Sequence, residues 1–223
     1  MNELTNKQFT HLKIHTQYSI CEGALKTSDL AKYCKTNKIR AVGLCDSNNL
    51  CGALEFSESI AKSKTQPIIG TQINIEYKGL SGKIPLFAKD LEGYKNLIKL
   101  SSKSFLEIKD NEEPHCSVDD LEANHRGLIL LSGSFDGFFG KLFFKNLTDE
   151  IYVLFKKFKT IFNNNLYLEI QRHDDKGEKL FEKFLLNSSE NLKYDFNLYI
   201  VDNQSDTRFD IESEGNDRCH PDY

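Results

Sequence analysis

The chain has 223 residues, 39% hydrophobic and 28% charged, with a formal net charge of -4 and a pI near 5.9; this allows one sizeable core and argues against a dedicated duplex-DNA binder. The six cysteines, Cys21, Cys34, Cys45, Cys51, Cys116 and Cys219, include no CxxC pair, which excludes a zinc finger or a secreted disulfide framework and points to reduced thiols in a cytoplasm. The polar start MNELTNKQFT has no signal core and no apolar run could span a bilayer, so a soluble cytoplasmic protein without a membrane partner is expected.

Short β-type runs alternate with longer stretches of helical period, the pattern of a parallel sheet or barrel with helices outside it. Strands are predicted near Phe9–His15, Ala41–Cys45, Pro67–Tyr77, Ile84–Ala88, Leu128–Leu131, Leu166–Gln171 and Phe196–Val201. After the fourth run, Tyr94, Leu97, Ile98, Ser101 and Phe105 recur at helical steps and predict an amphipathic helix with that stripe inward. Ser132, Gly133, Ser134, Gly137 and Gly140 form a small-residue loop before a helix. It lacks the Lys-Ser/Thr of a P-loop, so tight turns and capping explain it better than a phosphate cradle. Thr148, followed by Asp149 and Glu150, starts a helix whose core stripe is Ile151, Leu154, Phe155, Phe158 and Phe162; Lys156, Lys157 and Lys159 are its solvated face. Leu180, Phe181, Phe184 and Leu185 make a third stripe. Beyond Val201 the chain turns polar and mostly acidic, so a domain over 1–201 is expected to end in a tail over 202–223 that cannot bury enough apolar surface to order itself.

Chemistry concentrates at HLKIHTQYS, residues 11–19. In extended chain His11, Lys13 and His15 share a face, and two imidazoles at that spacing can grip one metal ion; a lone strand-end histidine otherwise just hydrogen-bonds at the surface. The stretch resembles the opening motif of polymerase-and-histidinol-phosphatase (PHP) domains, H-x-H followed by T or S, which in polymerases continues into Tyr18-Ser19 and an acidic-Gly pair, here Glu22-Gly23. AVGLCDSNNLCGALEF (41–56), PIIGTQINI (67–75), PLFAKDLEGYKNLIKLSSKSFLE (85–107), GLILLSGSFDGFFGKL (127–142) and LYLEIQRHD (166–174) resemble further blocks in the same order. Together they are similar to the N-terminal PHP domain of bacterial DNA polymerase III alpha subunits rather than to free-standing histidinol phosphatases.

The resemblance implies an α/β fold, a distorted (β/α)7 TIM-like barrel, in which histidines and carboxylates at the carboxyl ends of strands hold up to three divalent metals for phosphoester cleavage. Carried over residue by residue, the ligand set is eroded. The first histidine of H-x-H falls on Lys13, a cation with no lone pair to donate; the histidine after Asp46 is Ser47; the glutamate of the third block is Gln72. His15, Glu22 and His173 remain as a residual, weak metal set, and Asp202 and Asp206 match the last motif only nominally, which leaves the barrel incomplete at its C-terminal end. No catalytic or cofactor-binding residue and no tightly bound metal are expected, with zinc or manganese the ions if the residual site functions. The implied function is that of a fragment of the replicative polymerase with a structural role, docking the proofreading exonuclease. Its partners would be that exonuclease and the remainder of the alpha subunit, with DNA met only through the holoenzyme. Nucleotidyl transfer, the DNA-directed DNA polymerase reaction of the full-length parent, needs palm aspartates beyond residue 223. The competing implications are an active metal-dependent phosphoesterase or 3′–5′ exonuclease, and a stand-alone interaction protein from a truncated polymerase gene.

Overall fold

A computed structural model describes residues 9–109, 111–172, 176–194 and 196–202; His173, Asp206 and all of the expected tail over 202–223 except Asp202 lie outside the described residues. In chain order the elements are α1 (Thr27–Thr36), β1 (Ala41–Ser47), α2 (Ala53–Lys62), β2 (Gln66–Tyr77), β3 (Leu80–Ala88), α3 (Leu91–Leu106), β4 (Cys116–Ser117), α4 (Val118–Ala123), β5 (Leu128–Leu131), α5 (Phe138–Phe144), α6 (Thr148–Phe162), a 3-10 turn (Asn163–Asn165), β6 (Leu166–Arg172), α7 (Lys176–Leu192) and β7 (Asn197–Asp202). The strands form one curled sheet in the order β1-β2-β3-β5-β6-β7, with the short β4 beside β2. It is a mixed α/β half-barrel, an incomplete barrel as expected. None of the helices among the described residues is long and apolar enough to cross a membrane.

Two expectations about strands need correction. The sheet is not all parallel, because β3 runs antiparallel to both β2 and β5. Tyr77 pairs with Leu80, so Lys78 and Gly79 alone make the connection, at φ +52° and +78°. Two successive positive φ values suit the twist of a tight hairpin, and they start β3 at Leu80 rather than near Ile84.

The second correction is at Phe9–His15, which forms no regular strand. Its contacts are single bridges, Ile14 to Leu44 and, just beyond, Thr16 to Leu25. On one side Gly43 N donates to His11 O at 2.7 Å and Cys45 N to Ile14 O at 2.8 Å. A Cβ at Gly43 would sit 2.4 Å from Leu12 O, so glycine is what permits this approach. On the other side the Tyr199 phenol of β7 stands in for a backbone ladder, accepting from Leu12 N at 3.0 Å and donating to Thr10 O at 3.3 Å. The curl is thus joined here by a side chain.

The largest core packs α3 to α7 against β2, β3, β5 and β6, a second packs α1 and α2 on β1, and Cys45, Phe87 and Leu131, with Tyr167 and Tyr199 against them, fill the inside of the curl. All five residues of the predicted α6 stripe are buried, each large side chain contributing about 1.5–3 kcal/mol. The α3 stripe is out of phase: Gly93, Asn96, Leu97, Leu100 and Ser104 are buried, while Ile98 and Phe105 are exposed. Two features absent from the apolar pattern set that phase. A Cβ at Gly93 would meet Gly127 O at 1.9 Å, and Asn96 Nδ2 donates to Arg126 O at 2.8 Å. Similarly, α7 buries Phe181 and Leu185 but leaves Leu180 in solvent.

Candidate functional site

The side chains singled out for metal chemistry converge on the mouth of the curl, around a cavity of about 390 Å³ lined by Lys13, His15, Glu22, Gln72, Lys83 and Gln171 among others. The end of β1 supplies Asp46 and Ser47, β2 supplies Gln72, β6 supplies Glu169 and Gln171, and segment 9–22 supplies Lys13, His15 and Glu22. Three of the expected positions, Lys13, His15 and Glu22, are therefore brought together, and Ser47 and Gln72 stand beside them.

Asp46 is fully buried and accepts three hydrogen bonds, from Thr16 N at 2.6 Å, Thr16 Oγ1 at 2.8 Å and Ser19 Oγ at 2.6 Å. Because Ser19 gives its proton to Asp46, its oxygen is left to accept from His15 Nδ1 at 3.2 Å. That fixes the tautomer, with Nδ1 protonated and Nε2 accepting from the Gln72 side-chain amide at 3.1 Å. Burial lowers the His15 pKa and the Lys13 charge adds to the effect, against an opposing pull from Glu22. His15 is held neutral with both ring nitrogens used.

Glu22 accepts from Ser47 Oγ and pairs with Lys83, which also donates to Ser47 Oγ at 3.0 Å. Burial alone would raise the Glu22 pKa, but these donors hold it below the ordinary range. Its carboxylate lies 3.8 Å from His15 Nδ1, so the two residual metal candidates face each other through other partners. Deeper in the mouth Lys13 Nζ pairs with Glu169 Oε1 at 2.8 Å, with 14% of the Lys13 side chain and none of the Glu169 side chain exposed. Burial would lower the Lys13 pKa, yet the Glu169 charge and hydrogen bond raise it. Gln171 Nε2 donates to the same oxygen at 2.6 Å, while Glu169 Oε2 has no hydrogen-bond partner.

The fit of a divalent metal can be judged from these donors. The Lys13 ammonium lies where the family resemblance implies a ligand and has no lone pair to donate, an amide N–H points at the lone pair of His15 Nε2, and Glu22 is engaged by a lysine and a serine. Among the described residues no group of three His, Cys, Asp or Glu side chains is placed to hold a metal ion. The residues present do not fit a multinuclear metal centre. The third residual metal candidate, His173, lies outside the described residues, and Asp202, a nominal match to the last motif, ends β7.

Glu169, Lys83 and Tyr199 take part in the site without having been singled out in the sequence, and Ser19 is read there only as part of the opening motif, not as a partner of Asp46 and His15. Glu169 did leave a signal: a carboxylate flanked by Leu168 and Ile170 in a buried strand must find a charged partner. The loop over 133–137 is a turn, with Gly133 at φ +81° and Gly137 N donating to Ser134 O at 3.0 Å. Lys157 is taken up by Glu122 at 2.8 Å and Asp119 at 3.0 Å, in keeping with a solvated helix face.

Comparison with known proteins places this geometry. The PHP domain family matches residues 11–173. The DNA polymerase III subunit alpha of Rickettsia bellii is 36% identical over 176 residues, covering 78% of this chain and 15% of the relative. That of Borreliella burgdorferi is 33% identical over 196 residues, covering 83% and 17%, and that of Thermus aquaticus is 33% identical over 180 residues, covering 74% and 15%. The chain thus spans 15–17% of the length of these curated relatives. Among solved structures, a proposed metal-dependent phosphoesterase from Bifidobacterium adolescentis superposes with a TM-score of 0.56 at 11% identity, covering 87% of each chain. An amidohydrolase from Chromobacterium violaceum, solved with sulfate and no metal, gives 0.50 at 12%, covering 85% of this chain and 87% of its own.

Proposed function

Given that the chain belongs to the PHP domain family, we propose that it is a non-catalytic PHP module of a replicative DNA polymerase III alpha subunit, acting in the cytoplasm as a structural element and as part of the docking surface for a separate proofreading exonuclease. Similarity to alpha subunits supplies the context, and the observation that carries the reading is the Lys13–Glu169 ion pair inside the barrel mouth. An ammonium buried against a carboxylate takes up the charge a divalent metal would otherwise balance, and it offers no lone pair in exchange. His15, Glu22 and His173 then persist as remnants of the ligand set. Polymerisation, and contact with DNA, belong to the longer subunit and its holoenzyme.

The test pairs two assays on the purified chain. Titration calorimetry against the proofreading exonuclease subunit should show saturable binding, and bis-p-nitrophenyl phosphate with manganese or zinc should be hydrolysed no faster than in buffer. Metal-dependent hydrolysis lost on His15→Ala would overturn the reading in favour of a phosphoesterase. An absence of exonuclease binding would remove the docking role.

A further inference from the structure

We infer that the cleft beside the barrel mouth binds an uncharged purine base, with adenine the best fit, through the side chains of Asn48 and Asn74. The cleft has a volume of about 820 Å³ and is walled by the residues that follow β1, by β2, by the end of α3 and by the turns around Tyr18 and Pro114. It adjoins the mouth at Glu22 and Lys83, but Lys13, His15 and Gln72 line the mouth and not the cleft.

Two primary amides are pinned in the cleft with opposite ends left over. Asn48 Oδ1 accepts from Asn74 N at 3.0 Å, and Asn74 Nδ2 donates to Pro114 O at 3.1 Å. These backbone partners fix which way round each amide lies, so Asn48 keeps an N–H donor and Asn74 keeps an oxygen acceptor. Asn74 is only 8% exposed. Yet among the described residues the sealed side-chain polar atoms without a partner are on Thr27 and Glu169 alone, so the Asn74 oxygen opens on the cleft it lines. A donor beside an acceptor, each held from behind, complements a ligand edge that carries an acceptor beside a donor. Of the purines, adenine presents that pair on both edges, N7 and N1 each lying next to the N6 amine, and guanine on one.

Aromatic side chains supply the flat contact. Phe105, which α3 leaves 51% exposed, lines the cleft. Ser101, one turn before it, donates to Asn48 O at 3.4 Å, so the end of α3 sits against the amide pair. Tyr18 is fixed on two sides: a Cβ at Gly52 would come 2.5 Å from its ring, and its phenol donates to Glu55 at 2.5 Å. Purine bases stack on rings of this kind. The charge of the rim favours a base over a phosphate. Glu22, Glu113 and Asp136 line the cleft against Lys83 and Lys141, and Lys83 is already paired with Glu22, so a phosphoryl group would meet an excess of carboxylates.

A base site here goes beyond the docking reading above and does not depend on it. Saturation-transfer NMR and calorimetric titration of the purified chain test it with four probes: adenosine, purine riboside (which lacks the N6 amine), AMP and a short oligo-dA. The expected result is saturable adenosine binding at roughly millimolar concentration or below, with purine riboside about tenfold weaker and AMP no tighter than adenosine. Asn48→Asp keeps an oxygen for Asn74 N but turns the spare donor into an acceptor, and should weaken adenosine about tenfold. Phe105→Ala, at an exposed position, should weaken it about fivefold or more. Both variants should leave the thermal midpoint of the chain unchanged. Oligo-dA bound with the same two dependences assigns the base to a single strand, and adenosine bound in preference to it assigns a free nucleoside; either supports the site. No saturable adenosine binding by about 10 mM, equal binding of adenosine and purine riboside, or indifference to both variants would overturn it. AMP favoured over adenosine would overturn it as well, by making the phosphate the recognised group.

Discussion

Segment 9–22 is held on its two flanks by opposite means. Toward β1, Asp46 is satisfied by three uncharged donors from Thr16 and Ser19, and backbone bonds from Gly43 and Cys45 reinforce the contact. Toward β6 and β7 the segment has the Lys13–Glu169 ion pair and the Tyr199 phenol. The first flank is short-range and redundant, so that losing one donor leaves others. The second depends on single long side chains, one of them a charge whose partner has an oxygen with nothing else to accept from. On the proposed reading, the comparison shows how the mouth is closed without a metal. The β1 flank closes without one, and on the β6 flank a lysine provides the positive charge.

The comparison is most easily broken at Lys13. Lys13→Met leaves Glu169 buried without a counter-charge and should cost about 3–5 kcal/mol in urea unfolding, whereas Lys13→Met combined with Glu169→Leu should recover most of the loss. A single variant within about 1 kcal/mol of the parent would mean that the pair does not brace this flank. Next in size, Asp46→Ala strips an acceptor from three donors and should cost about 2–3 kcal/mol by the same measurement. Tyr199→Phe removes the phenol alone and should cost about 1 kcal/mol; it should speed hydrogen exchange at the Leu12 amide while exchange at Gly43 stays slow. Equal acceleration at both would show that the two flanks open together.

The smallest effect expected is with pH. Burial lowers the pKa of His15 and also of His11, so the unfolded chain binds more protons than the native one just below the ordinary histidine value near 6.5. Stability is complete above that pH and declines as pH falls toward the folded-state values. Glu22 is also lowered, but from the ordinary glutamate range, so its contribution is lost only at more acid pH. His15→Gln should flatten part of the decline below pH 6.5, leaving the His11 share; an unchanged profile would mean that His15 is not held neutral.

Much of this was legible in the sequence where period and motif coincide. The α6 stripe follows from residue type and spacing, whereas the erosion at Lys13, Ser47 and Gln72 is what the family resemblance implies, and the structure brings those three positions to one mouth. What was not legible depends on contacts far apart in the chain. The phase of α3 is set by the meeting of Gly93 with Gly127 and by Asn96, which hydropathy does not register. The antiparallel placement of β3 follows from a two-residue turn whose signal, Lys78-Gly79, is weak beside the usual Asn-Gly. The absence of a regular strand at Phe9–His15 reflects Tyr199, 187 residues from Leu12. The part played by Glu169 requires knowing that β6 faces Lys13 across the curl.

The central claim is that this mouth balances its charge with a lysine rather than a metal, and metal content tests it most directly. The purified chain is incubated with excess zinc and manganese, dialysed extensively and measured by elemental mass spectrometry. Less than about a tenth of an ion per chain is the predicted result, since a complete multinuclear site retains its ions. One or more ions per chain, lost on His15→Ala or His173→Ala, would contradict it and restore metal-dependent phosphoester chemistry as the reading of the site.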